Sequence, residues 1–229
     1  MMNNGNVRYW HLGWVLKAFI IMLASTLFIN CGLTAAAAEQ RTDKLFDLDE
    51  IAKEIDTYAL DPRYEDDPFI LSTLKEALVG AREHNGGIGA CLVCEATGEI
   101  VERSPNQQHV PYFKSDLHAE MVLLDRYEEH MRFTRDLSNS TSRNPRNNMK
   151  GLILYTSVEP CPMCLTRIIN SGVKKIYYAA PDDSGGMAHR LENLPPLWQG
   201  MAKGMVIEPA RCSPVLRELA QKLFHPMKV

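Results

Sequence analysis

Three metal-binding side chains and one carboxylate have to meet at a point in this chain. They are His118, Cys161, Cys164 and Glu120, carried by His118-Ala119-Glu120 and by Pro160-Cys161-Pro162-Met163-Cys164. Cys161 and Cys164 are three apart and share one face if helical. Pro162 suits the first helical position, where its missing N–H would have no partner anyway. A helix starting there puts both sulfurs at its positive end, which favours thiolates. His118 and Glu120 are two apart, a spacing at which mid-helix side chains diverge. They converge only at a helix mouth, and Ser115 or Asp116 is placed to cap such a helix. Two helix N-termini are therefore expected to face one metal ion.

One imidazole and two thiolates suit zinc. Three protein ligands leave a fourth position open, as a catalytic zinc needs, whereas four would close the site. Water bound there drops in pKa from about 15.7 towards about 7. Glu120 supplies a carboxylate to carry protons. A lone HxE or CxxC means little. Their order, the preceding Pro160 and the strand-then-helix context carry the signal. The bland alternative is a degenerate domain that keeps zinc only for folding.

In this arrangement the chain resembles the cytidine/deoxycytidylate deaminase-like superfamily of zinc nucleobase deaminases, over roughly residues 67–224. The stretch from Ile153 to Leu165 is especially similar to bacterial guanine deaminases, and cytosine and tRNA adenosine deaminases share much of it. The resemblance implies one catalytic Zn2+ per chain, held by His118, Cys161 and Cys164. It implies that Glu120 is the proton carrier, not a ligand, and that Asn106 and the backbone N–H of Ala119 contact substrate. It implies release of ammonia from a nucleobase or nucleoside, with guanine or cytosine types favoured, and a homodimer. A tRNA adenosine deaminase and a non-catalytic zinc-stabilised binding module are the alternatives. Two departures stand out. The polar stretch 132–150 lengthens the gap between the motifs, and Pro181 to Met187 matches no one subgroup well. That second segment is expected to help choose the substrate.

Hydrophobic periodicity and turn chemistry predict helices over 67–84, from 115 or 116 to about 131, from the Cys161–Cys164 segment through Ser171, and over 213–224. Leu117, Met121, Leu124 and Tyr127 are expected to form the buried face of the second. Strands are predicted over 88–95, 99–103, 152–157 and 173–180, with a possible fifth at 205–207. This order, with the resemblance, gives a three-layer α/β/α fold around a central mixed sheet of about five strands.

Residues 1–38 hold Arg8 and Lys17, no acidic residue, an apolar run from Ala18 to Ile29, and the small residues Ala35 to Ala38. They read as a secretory signal peptide cut after Ala38, with export to the periplasm or medium. A retained membrane anchor is the alternative, though Lys17 would then sit near mid-span. Residues 39–66 are expected to be an N-terminal arm, and residues 67–229 the deaminase domain.

The chain has 25 Lys and Arg against 28 Asp and Glu, a net charge of −3, and loss of the leader makes it more acidic. Proteins that grip nucleic-acid polymers usually carry a basic footprint, so a small-molecule substrate is favoured. Arg132, Arg135, Arg143, Arg146 and Lys150 read as a solvated loop, with a phosphate site as the alternative. Six cysteines are too few for a disulfide scaffold at this length. Cys31 leaves with the leader, Cys91 and Cys94 read as core filling on a strand, and Cys212 as a buried or free thiol. His109 and His189 read as surface histidines, and Asp182 and Asp183 as turn residues.

Overall fold

Five strands pair into one mixed sheet in the computed structural model, which describes residues 48–134 and 149–224. The first two, β1 (Gly89–Cys94) and β2 (Ile100–Pro105), form an antiparallel hairpin. Next come β3 (Leu152–Val158), β4 (Lys175–Ala180) and β5 (Val206–Pro209). The spatial order is β2-β1-β3-β4-β5, with β3 antiparallel to β1 and the pairs β3–β4 and β4–β5 parallel. Parallel neighbours need a crossover. Helix α4 (Pro162–Ser171) supplies it between β3 and β4, and α5 (Pro196–Ala202) lies between β4 and β5.

Alternation along the strands divides the core into two faces. Cys91, Val93, Tyr155 and Ala179 pack with Ile55, Leu74 and Leu216. Those come from α1 (48–57), α2 (Asp67–Arg82) and α6 (Pro214–Phe224). Ala90, Leu92, Leu154 and Ile176 face the other way and pack with Leu123 of α3 (Ala119–Thr134) and Ile168 of α4. Burial on both faces is why β1 reads as an unbroken apolar run. The result is the expected three-layer α/β/α arrangement.

Helix α1 falls within the stretch expected to be an arm. Its Ile51, Ala52 and Ile55 are buried in the same cluster as α2 and α6. Two buried acids lock this face. Asp66 accepts the Tyr155 hydroxyl at 2.8 Å and the Arg211 N–H at 2.7 Å. Asp67 accepts the Ser213 N–H at 2.7 Å and the Tyr58 hydroxyl at 2.5 Å. Buried carboxylates are tolerated when hydrogen-bonded in this way.

Some boundaries differ from the sequence reading. Neither Ser115 nor Asp116 starts α3, which begins at Ala119. The Leu117 carbonyl accepts the Gln107 N–H at 2.9 Å, and the first helical bond is the one to the His118 carbonyl. The face of α3 turned to the sheet is centred on Val122, Leu123 and Leu124, while Leu117 and Met121 are only half-buried. A 3-10 helix at Ala188–Asn193 and the helix α5 occupy a Pro- and Gly-rich stretch that gave no helical pattern. Met149 is buried, so the polar stretch 132–150 returns to the core before β3. Residues 1–38 with the cleavage site at Ala38, and Arg135, Arg143 and Arg146, lie outside the described residues.

Candidate active site

Both metal-binding motifs sit where a strand or loop turns into a helix. Cys161 is the N-cap of α4 and Pro162 its first residue. The Cys161 Sγ accepts the Cys164 N–H at 3.5 Å. Gly172 ends the helix at φ 98°, a left-handed conformation that a side chain would resist. His118 is the residue before α3, and its carbonyl accepts the Val122 N–H at 3.0 Å. Two helix N-termini thus bring the ligand atoms together, with His118 itself in the capping position instead of Ser115 or Asp116.

The ligand atoms of His118, Cys161 and Cys164 all lie within 4.8 Å of one another. Nδ1 of His118 is 3.7 Å from Cys161 Sγ and 3.5 Å from Cys164 Sγ. Tetrahedral zinc with ordinary Zn–N and Zn–S lengths sets its nitrogen and sulfur ligands about 3.6 Å apart. Both nitrogen–sulfur separations therefore suit zinc held through Nδ1 and the two sulfurs.

The three ligand side chains also perturb one another. Hydrogen bonding from the Cys164 thiol, then from His118 and the Cys164 amide, pulls the Cys161 thiol down to about 4 against the effect of burial. The same contact with Cys161, and then burial, pushes the Cys164 thiol up. A divalent cation would hold both as thiolates. Contact with Cys161 also raises the His118 pKa, in spite of burial.

Glu120 is the second residue of α3 and is 3% exposed. It stands outside the ligand group. Thr156, at the centre of β3, donates its hydroxyl to Glu120 Oε1 at 3.3 Å. Burial first, then the Cys161 thiolate, raises the carboxyl pKa. Ala119 is the first residue of the helix, so its N–H has no intrahelical acceptor. Its carbonyl accepts the Ser104 hydroxyl at 2.6 Å, which ties the mouth of α3 to β2.

Asn106 follows β2 directly and is buried. Its Oδ1 accepts the Gln108 N–H at 2.8 Å and its own N–H donates to the Ile88 carbonyl at 2.9 Å. Shaping its own loop commits the oxygen and leaves the side-chain amide N–H groups as donors for a ligand.

One functional-looking residue escaped the sequence reading. Glu159, between Val158 and Pro160, is buried and bonds across to the segment after β4. His189, read as a surface histidine, has its Nδ1 2.7 Å from that carboxylate. Cys91 is buried with its thiol pushed up to about 12 by desolvation, and it makes no metal group with Cys94 among the described residues.

Residues 64–180 match the model for the cytidine and deoxycytidylate deaminase zinc-binding region. The chain belongs to that family. It is 31% identical over 130 residues to a tRNA-specific adenosine deaminase of Bacillus subtilis (strain 168), covering 57% of this chain and 71% of the relative. Two solved structures share its fold at 22% identity and a TM-score of 0.51. One is a tRNA deaminase that edits adenosine to inosine at the wobble position, covering 68% of this chain and 98% of the other. The second is the protein NE0047 with 2,6-diaminopurine, covering 74% of this chain and 87% of the other.

Proposed function

We propose that this chain is a zinc-dependent hydrolytic deaminase of a nucleobase or nucleoside carrying an exocyclic amine, with guanine or cytosine types favoured. The observation that carries the reading is a three-ligand group closed to 4.8 Å, with the buried acid Glu120 beside it but outside it. His118, Cys161 and Cys164 would hold the zinc. When bound, the metal would make water a nucleophile at neutral pH and leave one position open for it.

The chain's own residues supply the rest. The reaction adds water at the amine-bearing carbon, breaks the C–N bond and releases ammonia, leaving a carbonyl. A proton must leave the water and reach the ring nitrogen and the departing amine. Thr156 holds Glu120, whose carboxylate would take the proton from the water and pass it to the ring nitrogen and the departing amine. Such transfers are worth about 10²–10⁴ in rate. The Asn106 amide and the Ala119 N–H would orient the ring.

The B. subtilis relative favours a second reading, deamination of adenosine in tRNA. The net charge of −3 weighs against gripping an RNA. One experiment separates the readings. Ammonia release by zinc-loaded protein is measured against guanine, cytosine, adenine, their nucleosides and monophosphates, and a tRNA anticodon stem-loop, with Glu120→Gln as control. Release from a free base or nucleoside, absent in the control, supports the first reading. Release from the stem-loop alone supports the second, and release from nothing overturns both.

A further inference from the structure

Neither metal binding nor proton transfer uses Glu159, although its side chain is only 1% exposed. Its Oε2 accepts the N–H of Asp182 at 3.1 Å. Its Oε1 accepts the N–H of His189 at 3.0 Å and lies 2.7 Å from that residue's Nδ1. One carboxylate thus holds both ends of the segment 182–189. Two backbone donors on two different oxygens require a carboxylate here. A glutamine offers one oxygen and leaves a donor unmatched.

The segment is built around that anchor. Asp182 Oδ1 accepts the N–H groups of Ser184 and Gly185 at 3.2 and 3.0 Å, and the Ser184 hydroxyl at 3.0 Å. Arg190 donates to the Gly186 and Ser184 carbonyls, both at 2.8 Å. A Cβ at Gly186 would stand 2.4 Å from Glu159 Cδ and 2.7 Å from the Asp182 carbonyl, so only glycine lets the carboxylate reach across.

Topology brings this segment to the metal ligands. β3 and β4 are parallel, with Val158 beside Ala180. The chain therefore leaves both strands at one edge of the sheet, towards Cys161 from β3 and towards Asp182 from β4. The Met187 N–H donates to the Pro160 carbonyl at 2.9 Å, one residue before Cys161. The His189 side chain is 41% exposed there. Facing a carboxylate oxygen, Nδ1 acts as the donor, which makes Nε2 an acceptor in the neutral ring.

We propose that Glu159 is a positioning residue for substrate recognition. It fixes segment 182–189 at the rim of the site and sets the His189 ring so that Nε2 accepts a hydrogen bond from an N–H on the substrate. Glu159 does this through His189 and never touches the reacting atoms. The inference rests on the deaminase reading and deepens it, because it favours substrates that present an N–H away from the amine being lost.

The test uses the zinc-loaded full chain and the variants Glu159→Gln, Gly186→Ala and His189→Ala. Metal content, KM, kcat and backbone hydrogen exchange over 182–189 are measured for each. All three are expected to keep their zinc. Glu159→Gln and Gly186→Ala should speed exchange across the segment and raise KM about tenfold, one lost hydrogen bond's worth, with a smaller change in kcat. His189→Ala should raise KM by a similar factor without speeding exchange, and should narrow the preference for the N–H substrate over its N-methyl analogue. Unchanged exchange in the first two variants overturns the pinning. Unchanged KM and preference in His189→Ala overturns the rim contact, and that variant stays informative if Glu159→Gln fails to fold. If the wild-type protein releases no ammonia at all, the deaminase reading has failed, and the exchange comparison still decides the pinning.

Discussion

Replacing Glu120 by Gln keeps the shape of the side chain and removes its ability to carry a proton. Three consequences follow from its place in the structure. Zinc should stay bound at one per chain, because Glu120 lies outside the group formed by His118, Cys161 and Cys164. The rate should fall by about 10²–10⁴, or about 2.7–5.4 kcal/mol of barrier, which is the usual worth of a positioned acid–base group. Stability should also respond to pH. In the metal-free protein the folded-state pKa of Glu120 is raised, chiefly by burial. A raised carboxyl contributes stability that is full below the ordinary carboxylate range and lost as pH rises through the folded value. The glutamine cannot titrate, so metal-free Glu120→Gln should gain thermal stability relative to wild type as pH rises from about 4.5. Metal analysis, steady-state ammonia release and melting scans in chelator across pH 4–8 would read all three. A zinc-loaded variant within a few-fold of wild-type activity would refute the assignment, as would loss of zinc. A stability gap that does not change with pH would refute the argument from burial.

Other expectations are more compact. Tyr155→Phe keeps the stacking on Phe69 at 4.8 Å and on Tyr177 at 5.4 Å and removes only the bond to Asp66. A hydrogen bond to a buried charge is worth about 1.5–3 kcal/mol. At about 2–4 °C per kcal/mol for a domain of this size, Tm should drop by several degrees, and an unchanged Tm would show that the bond contributes nothing. Zinc affinity should weaken as pH falls, because His118 and Cys164 both hold their protons more tightly than usual. Chelator competition at a series of pH values checks this, and a flat profile contradicts it. Chelator together with oxidant should inactivate the protein until reductant is added, whereas either alone acts weakly or reversibly; full recovery with zinc alone would count against thiolate ligation. N-terminal sequencing of the protein made in cells tests the leader proposed for residues 1–38: a start at Glu39 supports cleavage after Ala38, and a start at Met1 favours the anchor.

The metal ligands were legible in the sequence because their chemistry is local. Pro162 and the three-residue spacing of Cys161 and Cys164 define a helix start with no help from the rest of the fold. The start of α3 was not legible in the same way. Ser115 and Asp116 have the right capping chemistry, but the Leu117 carbonyl turns to the Gln107 N–H of the preceding loop, a pairing that no local pattern announces. Helix α1 was partly legible: Ile51 and Ile55 sit among Asp49, Glu50, Lys53 and Glu54, so a short buried stripe reads as an amphipathic arm. Pro196 occupies the first position of α5, where proline is tolerated, so a Pro- and Gly-rich stretch conceals a helix start. Glu159 gave no signal because its partners, Asp182 and His189, meet it only through the parallel pairing of β3 and β4.

The proposed chemistry requires an open metal site. Zinc X-ray absorption on the purified, zinc-loaded protein tests this directly. Two sulfurs at about 2.3 Å, one imidazole nitrogen at about 2.0–2.1 Å and one solvent oxygen are expected. A third sulfur, or a fourth ligand from the protein, would mean a closed structural site and would contradict the proposed chemistry.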